Sequence, residues 1–514
     1  MKILGIELGS TRIKSVLIDE NAVVLATGSH TWENKLVDGY WSYSLDAIHA
    51  GVQDSFAALA ADYKTKYGEA LTSVDALGIS AMMHGYIALD KNDNLLVPFR
   101  TWRNVCTEKA SKELSEAFNF HIPQRWTVAH YYQAVLTGEA HVKDIAHLTT
   151  LAGYVSYRLT GKKIVGIGEA SGIFPVDSGE YDKAMLADFN ARLNAHGVDT
   201  SFESIIPSIL VAGDTVGTLT EDGARFLDPT GTLNGGALVC PPEGDAQTGM
   251  VATNSIAPCT ANVSAGTSAF IIAILEKKLE NYYEEIDVMA TPVGDTAAMV
   301  QVNNFTSEIN AWTSLFEETI ALGGGTLSGG ELYGALFNIS READDDVGGL
   351  MGYNFLSGEH LVHISEGRPI VSRLPEGKLT LANFMKMQIY SALGAFAMGV
   401  KTLSRENLKI DRICGHGGFF KTPLIGQSAM SAALGAPVTV MTNSGEGGAW
   451  GIALLALYSV VKRGTFAEFL DGVFASEEKS TVMADETEIA AFEKFLVRYS
   501  GGIDFARSAA DTIK

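Results

Sequence analysis

Cysteine is scarce, with 4 in 514 residues. Cys106, Cys240, Cys259 and Cys414 stand far apart and none forms a C-x-x-C pair, which excludes a zinc ribbon and a thioredoxin-like centre. Free thiols point to a reducing compartment, so a cytoplasmic location is expected. Positive charge is also in short supply. Lys and Arg number 38 against 60 Asp and Glu, a formal net charge of −22, and basic runs such as Lys162-Lys163 and Lys277-Lys278 stop at two residues. A nucleic-acid binder needs a basic footprint, so no nucleic-acid partner is expected. An acidic surface disfavours anionic lipid, so no membrane partner is expected either, and its ordinary role is solubility. The longest apolar run, Ala449 to Val461, falls short of the roughly 20 residues that span a bilayer and reads as a buried helix. The N-terminus reaches Glu7 too soon for a signal peptide. Neither nucleotide fingerprint occurs: there is no G-x-x-x-x-G-K-[ST], and no G-x-G-x-x-G opening a helix after a strand. An anionic nucleotide would have to be held by backbone amides and a metal ion.

What is present is material for large cores. Apolar residues make up 46% and charged residues 19%, which excludes disorder as the main character. Proline is limited to 13 while glycine reaches 53, a ratio that suggests many tight turns. The length allows two large domains or about three average ones. Residues 2–8 and 13–18 are β-rich runs flanking Gly9-Ser10-Thr11-Arg12, a hairpin with small residues at its tip. Residues 44–66 carry apolar side chains at helical spacing, and a strand follows at 76–80. Tyr86–Asp90 reads as a second, hairpin-like strand. Past Leu238-Val239-Cys240 the pattern restarts: Ala261–Ala265, then Gly266-Thr267-Ser268, then Ala269–Leu275. Gly9 and Gly266 are 257 residues apart, which suggests two similar halves facing each other across a cleft. Later come a helix at 381–403, a strand at 412–414, the turn Gly415-His416-Gly417-Gly418, a helix at about 424–434, a strand to Val440, and the buried helix starting at 445–449. Residues 463–514 are expected to be helical and to wrap the surface.

Several positions carry two readings. Gly9-Ser10-Thr11, with Lys14 nearby, is an ordinary hairpin turn or a phosphate cradle of amide and hydroxyl groups. Gly266-Thr267-Ser268 has the same ambiguity, and three small-residue turns together could surround one polyphosphate. Asp245, in Gly244-Asp245-Ala246-Gln247, is a helix cap or a general base for a hydroxyl that attacks phosphorus. His84 is a satisfied half-buried histidine or a hydrogen-bonding partner of a polyol. Trp102-Arg103-Asn104 is a surface aromatic with a paired arginine, or a flat face and two polar heads for a sugar.

Taken together and in order, these segments resemble the FGGY carbohydrate kinases of the actin-like ATPase superfamily, over nearly the whole chain. Gly5-Ile6-Glu7-Leu8-Gly9-Ser10-Thr11-Arg12-Ile13-Lys14 is similar to the family's first phosphate motif, and Gly266-Thr267-Ser268 to its second. Met82-Met83-His84-Gly85 and Trp102-Arg103-Asn104 resemble its sugar-side segments. Leu159-Thr160-Gly161, Glu169-Ala170-Ser171 and Gly244-Asp245-Ala246-Gln247 follow in the family's order. Gly415-His416-Gly417-Gly418 with Gln427, then Glu446-Gly447-Gly448-Ala449, resemble its adenosine motif. The chain departs from the pattern twice: Glu7 stands where the family has Asp, and Leu393 where it has an acidic residue. The resemblance implies an α/β protein of two ribonuclease H-like (actin-like ATPase) domains facing across a cleft, residues 1–250 on the sugar side and 251–514 on the adenosine side. It implies ATP and Mg²⁺, with ATP on Gly9, Ser10, Thr11, Lys14, Gly266, Thr267, Ser268, Gly417, Gly418, Gln427 and Glu446. It implies a sugar held by Met83, His84, Trp102, Arg103, Asn104 and Asp245, Asp245 as catalytic base, and Glu7 and Asp245 on the metal. The expected activity is phosphorylation of a ketopentose terminal hydroxyl, D-xylulose first. L-ribulose, sedoheptulose or gluconate are alternatives, as are an ATP-binding switch and a kinase-dead sugar sensor. A homodimer is compatible with the resemblance.

Overall fold

The computed structural model describes residues 1–406, 408–441 and 447–513. Strand Ile3–Leu8 is buried at every residue but Glu7. The chain turns at Gly9–Thr11 into the antiparallel strand Arg12–Ile18, in a register that sets Glu7 opposite Lys14. Ala76–Ala81 pairs parallel to the other side of Ile3–Leu8, and Val24–Thr31 continues the antiparallel side. Leu238–Val239 and Gly217–Thr218 complete one edge, and Glu243–Gly244 joins the end of Ala76–Ala81, giving a seven-stranded mixed sheet. Helix Leu45–Tyr67 covers this sheet. Ser44 Oγ accepts from the Ala47 N–H at 3.1 Å to start it, and Gly68 ends it at φ 75°. Its Ile48, Val52, Phe56 and Leu59 stripe is buried in the first core.

The second half repeats the plan. Thr260–Ala265 returns through Gly266–Ser268 into Ala269–Ile274, and Arg412–His416 pairs parallel to the first strand of this hairpin. Asp287–Ala290, Thr296–Val302, Val438–Met441 and Lys479–Val482 extend it to a second seven-stranded sheet. Helix Asp245–Ala252 runs between the last strand of one sheet and the first of the other, so the expected border at residue 250 falls inside it. Helix Gly447–Val461 belongs to the second half in sequence but lies across Ile3–Leu8 of the first sheet. A Cβ on Gly5 would sit 2.0 Å from the Ala449 carbonyl oxygen, so only a bare backbone admits this approach. Its side chains join Ile3, Val16, Met250 and Ile272 in a core shared by both halves, which is why every face of the helix is apolar.

Tyr86–Asp90, entered through His84 at φ 68°, is the hairpin-like strand expected: past the turn at 91–94 it bridges Leu95 and Arg100 antiparallel, and on its other side Ile87–Leu89 pairs with His147–Thr149. One expectation is corrected. The tail is not a purely helical wrap. Lys479–Val482 is a strand antiparallel to Val438–Met441, and Phe492, Phe495 and Tyr499 of helix Glu486–Gly501 are buried in the second core. The polar composition of the tail describes its outer faces alone. Among the described residues no helix is long and apolar enough to cross a membrane.

Candidate active site

A cavity of about 990 Å³ opens between the two halves. Glu7, Ser10 and Lys14 of the opening hairpin line it, with Asp245, Ser268, His416, Gly447 and Gly448. At the first tip the carbonyls are engaged. Trp32 Nε1–H donates to Gly9 O at 2.7 Å, the Tyr43 hydroxyl to Ser10 O at 2.5 Å, and the Trp32 N–H to Thr11 O at 3.2 Å. At the second tip the Thr306 hydroxyl donates to Gly266 O at 2.8 Å and the Phe305 N–H to Thr267 O at 2.8 Å. Among the described residues no acceptor meets the N–H groups of Ser10, Thr11, Thr267 or Ser268. Tips with tied carbonyls and free amides are concavities suited to an anion. The third turn abuts the second tip, since a Cβ on Gly417 (φ 107°) would lie 2.4 Å from Ala265 O. Gly418 follows in the short helical turn Gly418–Phe420.

Among the carboxylates that line this space, Glu7 and Asp245 lie within each other's field. Asp245 Oδ1 accepts from the Met83 N–H at 3.2 Å and from the Ala246 N–H at 3.0 Å. Burial pushes its carboxyl above the ordinary range, against those hydrogen bonds. Burial pushes Glu7 up to about 7; the charge of Asp245 adds to the rise, and Lys14 opposes it. The glycine at 448 makes room for Glu7, because a Cβ there would stand 2.4 Å from Glu7 Oε1. A pair of crowded carboxylates fits Mg²⁺, which keeps several waters and takes one or two protein carboxylates beside substrate phosphates. Among the described residues no cluster of three or more His, Cys, Asp or Glu could cage a metal alone.

Met83 and His84 line the cavity on the other side of Asp245. His84 is 6% exposed, and its Nδ1 faces the main chain at Gly172. Burial, then the nearby Arg125, brings its pKa down to about 3, so the ring is neutral near pH 7. Left-handed backbone at a histidine is strained, and such strain gathers at ligand sites. Trp102 is 40% exposed at the cavity mouth, where its Nε1–H reaches Ser10 Oγ at 3.2 Å. Arg103 lines the cavity and stacks over the Trp41 ring at 4.0 Å.

Two expected contacts, both carboxamides, are turned away from the cavity. Asn104 is buried and turned inward: its Oδ1 accepts from the Trp41 N–H at 2.8 Å, and its Nδ2 donates to the Trp41 and Thr101 carbonyls at 2.9 Å each. It props the Trp102 loop. Gln427 is also buried. Its Nε2 donates to Val438 O at 3.1 Å and Ser480 O at 2.9 Å, clamping helix Ile425–Leu434 to the sheet edge. The Asn104 amide is engaged by main chain on both ends, and both Gln427 N–H groups are spent on carbonyls, with the Ser480 hydroxyl 3.5 Å from its Oε1. Glu446 lies outside the described residues.

The C-terminal-domain model of the FGGY family of carbohydrate kinases matches residues 261–460, and the N-terminal-domain model of the same family matches residues 2–230. The chain belongs to the FGGY family of carbohydrate kinases. As an FGGY kinase it is a phosphotransferase with an alcohol acceptor, and kinases of this family use ATP. A xylulose kinase of Haemophilus influenzae is 22% identical over 476 residues, spanning 86% of this chain and 91% of its own. A gluconokinase of Bacillus subtilis is 24% identical over 516 residues, spanning 94% and 92%. The solved xylulose kinase from Rhodospirillum rubrum superposes with a TM-score of 0.81 at 17% identity, over 98% of this chain and 99% of that one. That likeness carries the fold: two mixed sheets in two facing halves.

Some features of this FGGY kinase escape a reading of motifs. Glu243, two residues before Asp245, is buried, and its carboxylate accepts from the Glu169 N–H at 2.8 Å and the Gly168 N–H at 3.3 Å. Burial pushes Glu243 up to about 8. The Glu-x-Asp spacing was the available signal. Leu159-Thr160-Gly161 is the C-terminal turn of helix Leu151–Thr160, closed by Gly161 at φ 69°. Leu393 is fully buried in the second core, a place that an acid could occupy only at high cost. His121, Arg125 and Asp287 also line the cavity, and nothing in their sequence surroundings marks them.

Proposed function

We propose that this FGGY kinase transfers the terminal phosphoryl group of ATP to the terminal hydroxyl of a ketopentose, D-xylulose first and L-ribulose second. The observation that carries this reading is the position of Asp245. Its carboxylate is tied to the Met83 N–H beside the neutral ring of His84, in one cavity with both hairpin tips. The curated relatives named as xylulose kinases favour the ketopentose. In this reading residues 1–250 form the sugar-side domain and residues 251–514 the adenosine-side domain.

Asp245 accepts the proton of the sugar hydroxyl while that oxygen forms its bond to phosphorus and the bond from phosphorus to the bridging oxygen of ADP breaks. Its raised pKa makes it a stronger base than an exposed aspartate. The Met83 N–H holds one of its oxygens in place, leaving the other for the hydroxyl. His84 and Met83 bind and orient the sugar, with Trp102 and Arg103 at the mouth. The free amides of Ser10, Thr11, Thr267 and Ser268, with Lys14, hold the phosphates, and Gly417, Gly418 and the start of helix Gly447–Val461 receive the nucleoside side. Glu7 and Asp245 would hold Mg²⁺, which supplies charge neutralisation on the phosphate oxygens. Approach of the halves excludes water and suppresses transfer to it.

A coupled ADP-release assay over D-xylulose, L-xylulose, D- and L-ribulose, sedoheptulose, gluconate and glycerol tests the reading. Sugar-stimulated turnover peaking on a ketopentose is expected. No turnover on any of them would favour a switch or a kinase-dead sensor, and a peak on a non-ketose would replace the substrate.

A further inference from the structure

The wall beside His84 is assembled from both halves of the chain. Arg125 precedes helix Thr127–Thr137, and Asp287 opens the edge strand Asp287–Ala290 of the second sheet. Their side chains form an ion pair. His121 Nε2 stands 3.4 Å from the other carboxylate oxygen of Asp287. All three line the cavity together with Met83 and His84. The Gly85 N–H donates to Arg125 O at 3.3 Å, which fixes the Arg125 backbone one residue from His84. Strand Asp287–Ala290 is held against the first half by two further bonds. The Ala290 N–H donates to Ser171 Oγ at 3.0 Å, and Gln247 Nε2 donates to Ala290 O at 3.0 Å. The pair is therefore a fixed part of the cavity wall, anchored at Gly85, two positions past the Met83 whose N–H holds Asp245.

The side chains of Arg125 and Asp287 are 24% and 14% exposed, so each neutralises the other largely out of water. Burial pushes the Asp287 carboxyl up, but Arg125 and His121 outweigh it and hold the group well below the usual carboxylate range. Glu284 and Glu285 line the same cavity. A carboxylate arriving at this wall meets a guanidinium already matched and an acid that stays ionised. A hydroxyl meets donors and acceptors of both kinds and brings no charge to desolvate.

We propose that the Arg125–Asp287 ion pair determines acceptor specificity, admitting a neutral ketose and rejecting an aldonate whose carboxylate would reach the same wall. This rests on the kinase reading above, with Asp245 marking the reacting end of the sugar. Asp287 discriminates by repulsion as well as by hydrogen bonding, and repulsion is an effective way to separate two similar ligands.

The test compares D-xylulose, L-ribulose and D-gluconate on the full chain, as wild type and as Asp287→Asn. ADP release gives kcat and KM, and calorimetry gives binding. Wild type should favour its better ketose over gluconate by about 100-fold or more in kcat/KM. Asp287→Asn leaves Arg125 unmatched and should lower KM for gluconate by about 10-fold or more, narrowing that ratio. Adding Arg125→Gln should return gluconate to weak binding. A wild-type preference for gluconate, or an unchanged ratio in a folded Asp287→Asn, would overturn the proposal. If Asp287→Asn does not fold, the wild-type ratio decides. If wild type turns over none of the three, the ketopentose reading fails separately and calorimetry decides selectivity. Gluconate bound as tightly as the ketoses, or no binding of any of them, then overturns the proposal; a ketose bound about 10-fold tighter upholds it.

Discussion

Asp245 Oδ1 and the Met83 N–H, 162 residues apart in the chain, are joined by a hydrogen bond of 3.2 Å. The bond couples the start of helix Asp245–Ala252 to the segment leaving strand Ala76–Ala81, so the carboxylate and the residue before His84 move as one piece.

Asp245→Asn keeps this bond and the shape of the site but removes the base. The expected outcome is a fall in kcat of about 10²–10⁴-fold, the usual worth of a general base, with sugar affinity changed by less than about 3-fold. Steady-state kinetics together with calorimetric titration of each ligand checks the split. Retained turnover would remove Asp245 from the role.

Gly448→Ala brings a Cβ to within 2.4 Å of Glu7 Oε1 and 2.7 Å of Thr248 Oγ1. Thr248 Oγ1 is held by the Ser80 hydroxyl and the Gly244 carbonyl, and the Glu7 carboxylate can give way only by leaving its place beside Asp245. A loss of about 1–3 kcal/mol in urea unfolding is expected, the usual cost of overpacking, together with a raised KM for ATP. A variant of wild-type stability would mean that the helix start can yield.

Gln427→Leu separates the structural role of this residue from a nucleotide role. The change strands the carbonyls of Val438 and Ser480, for an expected loss of about 1–3 kcal/mol in denaturant unfolding. KM for ATP should stay at its wild-type value in the folded variant. A selective rise in that KM would restore the nucleotide contact.

His130 gives the pH dependence. It is fully buried, both ring nitrogens lack partners, and burial brings its pKa down to about 3. An unfolded histidine titrates near 6.5, so below that pH the unfolded chain binds a proton that the folded chain refuses. Stability from this group is complete above pH 6.5 and falls as pH drops toward 3, by about 2 kcal/mol at pH 5. His130→Phe keeps a ring of similar size and removes the proton. Its melting temperature relative to wild type should be higher at pH 5 than at pH 7.5, and an equal difference at both would show that His130 is not the titrating group.

Local chemistry made much of the molecule legible. Hairpins with small residues at their tips, the stripe of helix Leu45–Tyr67 and the all-apolar run of helix Gly447–Val461 follow from neighbours in sequence, and the structure has all of them. The side on which an amide points was not legible. Asn104 and Gln427 stand in the right segments, yet their amide N–H groups are consumed by main-chain carbonyls that only a folded neighbour supplies. Strand Lys479–Val482 was hidden in a polar tail for the same reason: an edge strand shows its pairing to Val438–Met441 and not its composition.

The family, the order of the motifs and the two turn-and-strand units that begin each half can be read along the chain, because each depends on residues within a few positions of one another. The electrostatics of the cavity arise in the folded molecule alone. It set Glu7 near Asp245, Glu243 beneath Glu169, and Asp287 against Arg125 and His121 across 162 residues or more. Charge interactions act through space and grow as water is excluded, so their partners, and the pKa values that follow, exist only once both halves are folded against each other.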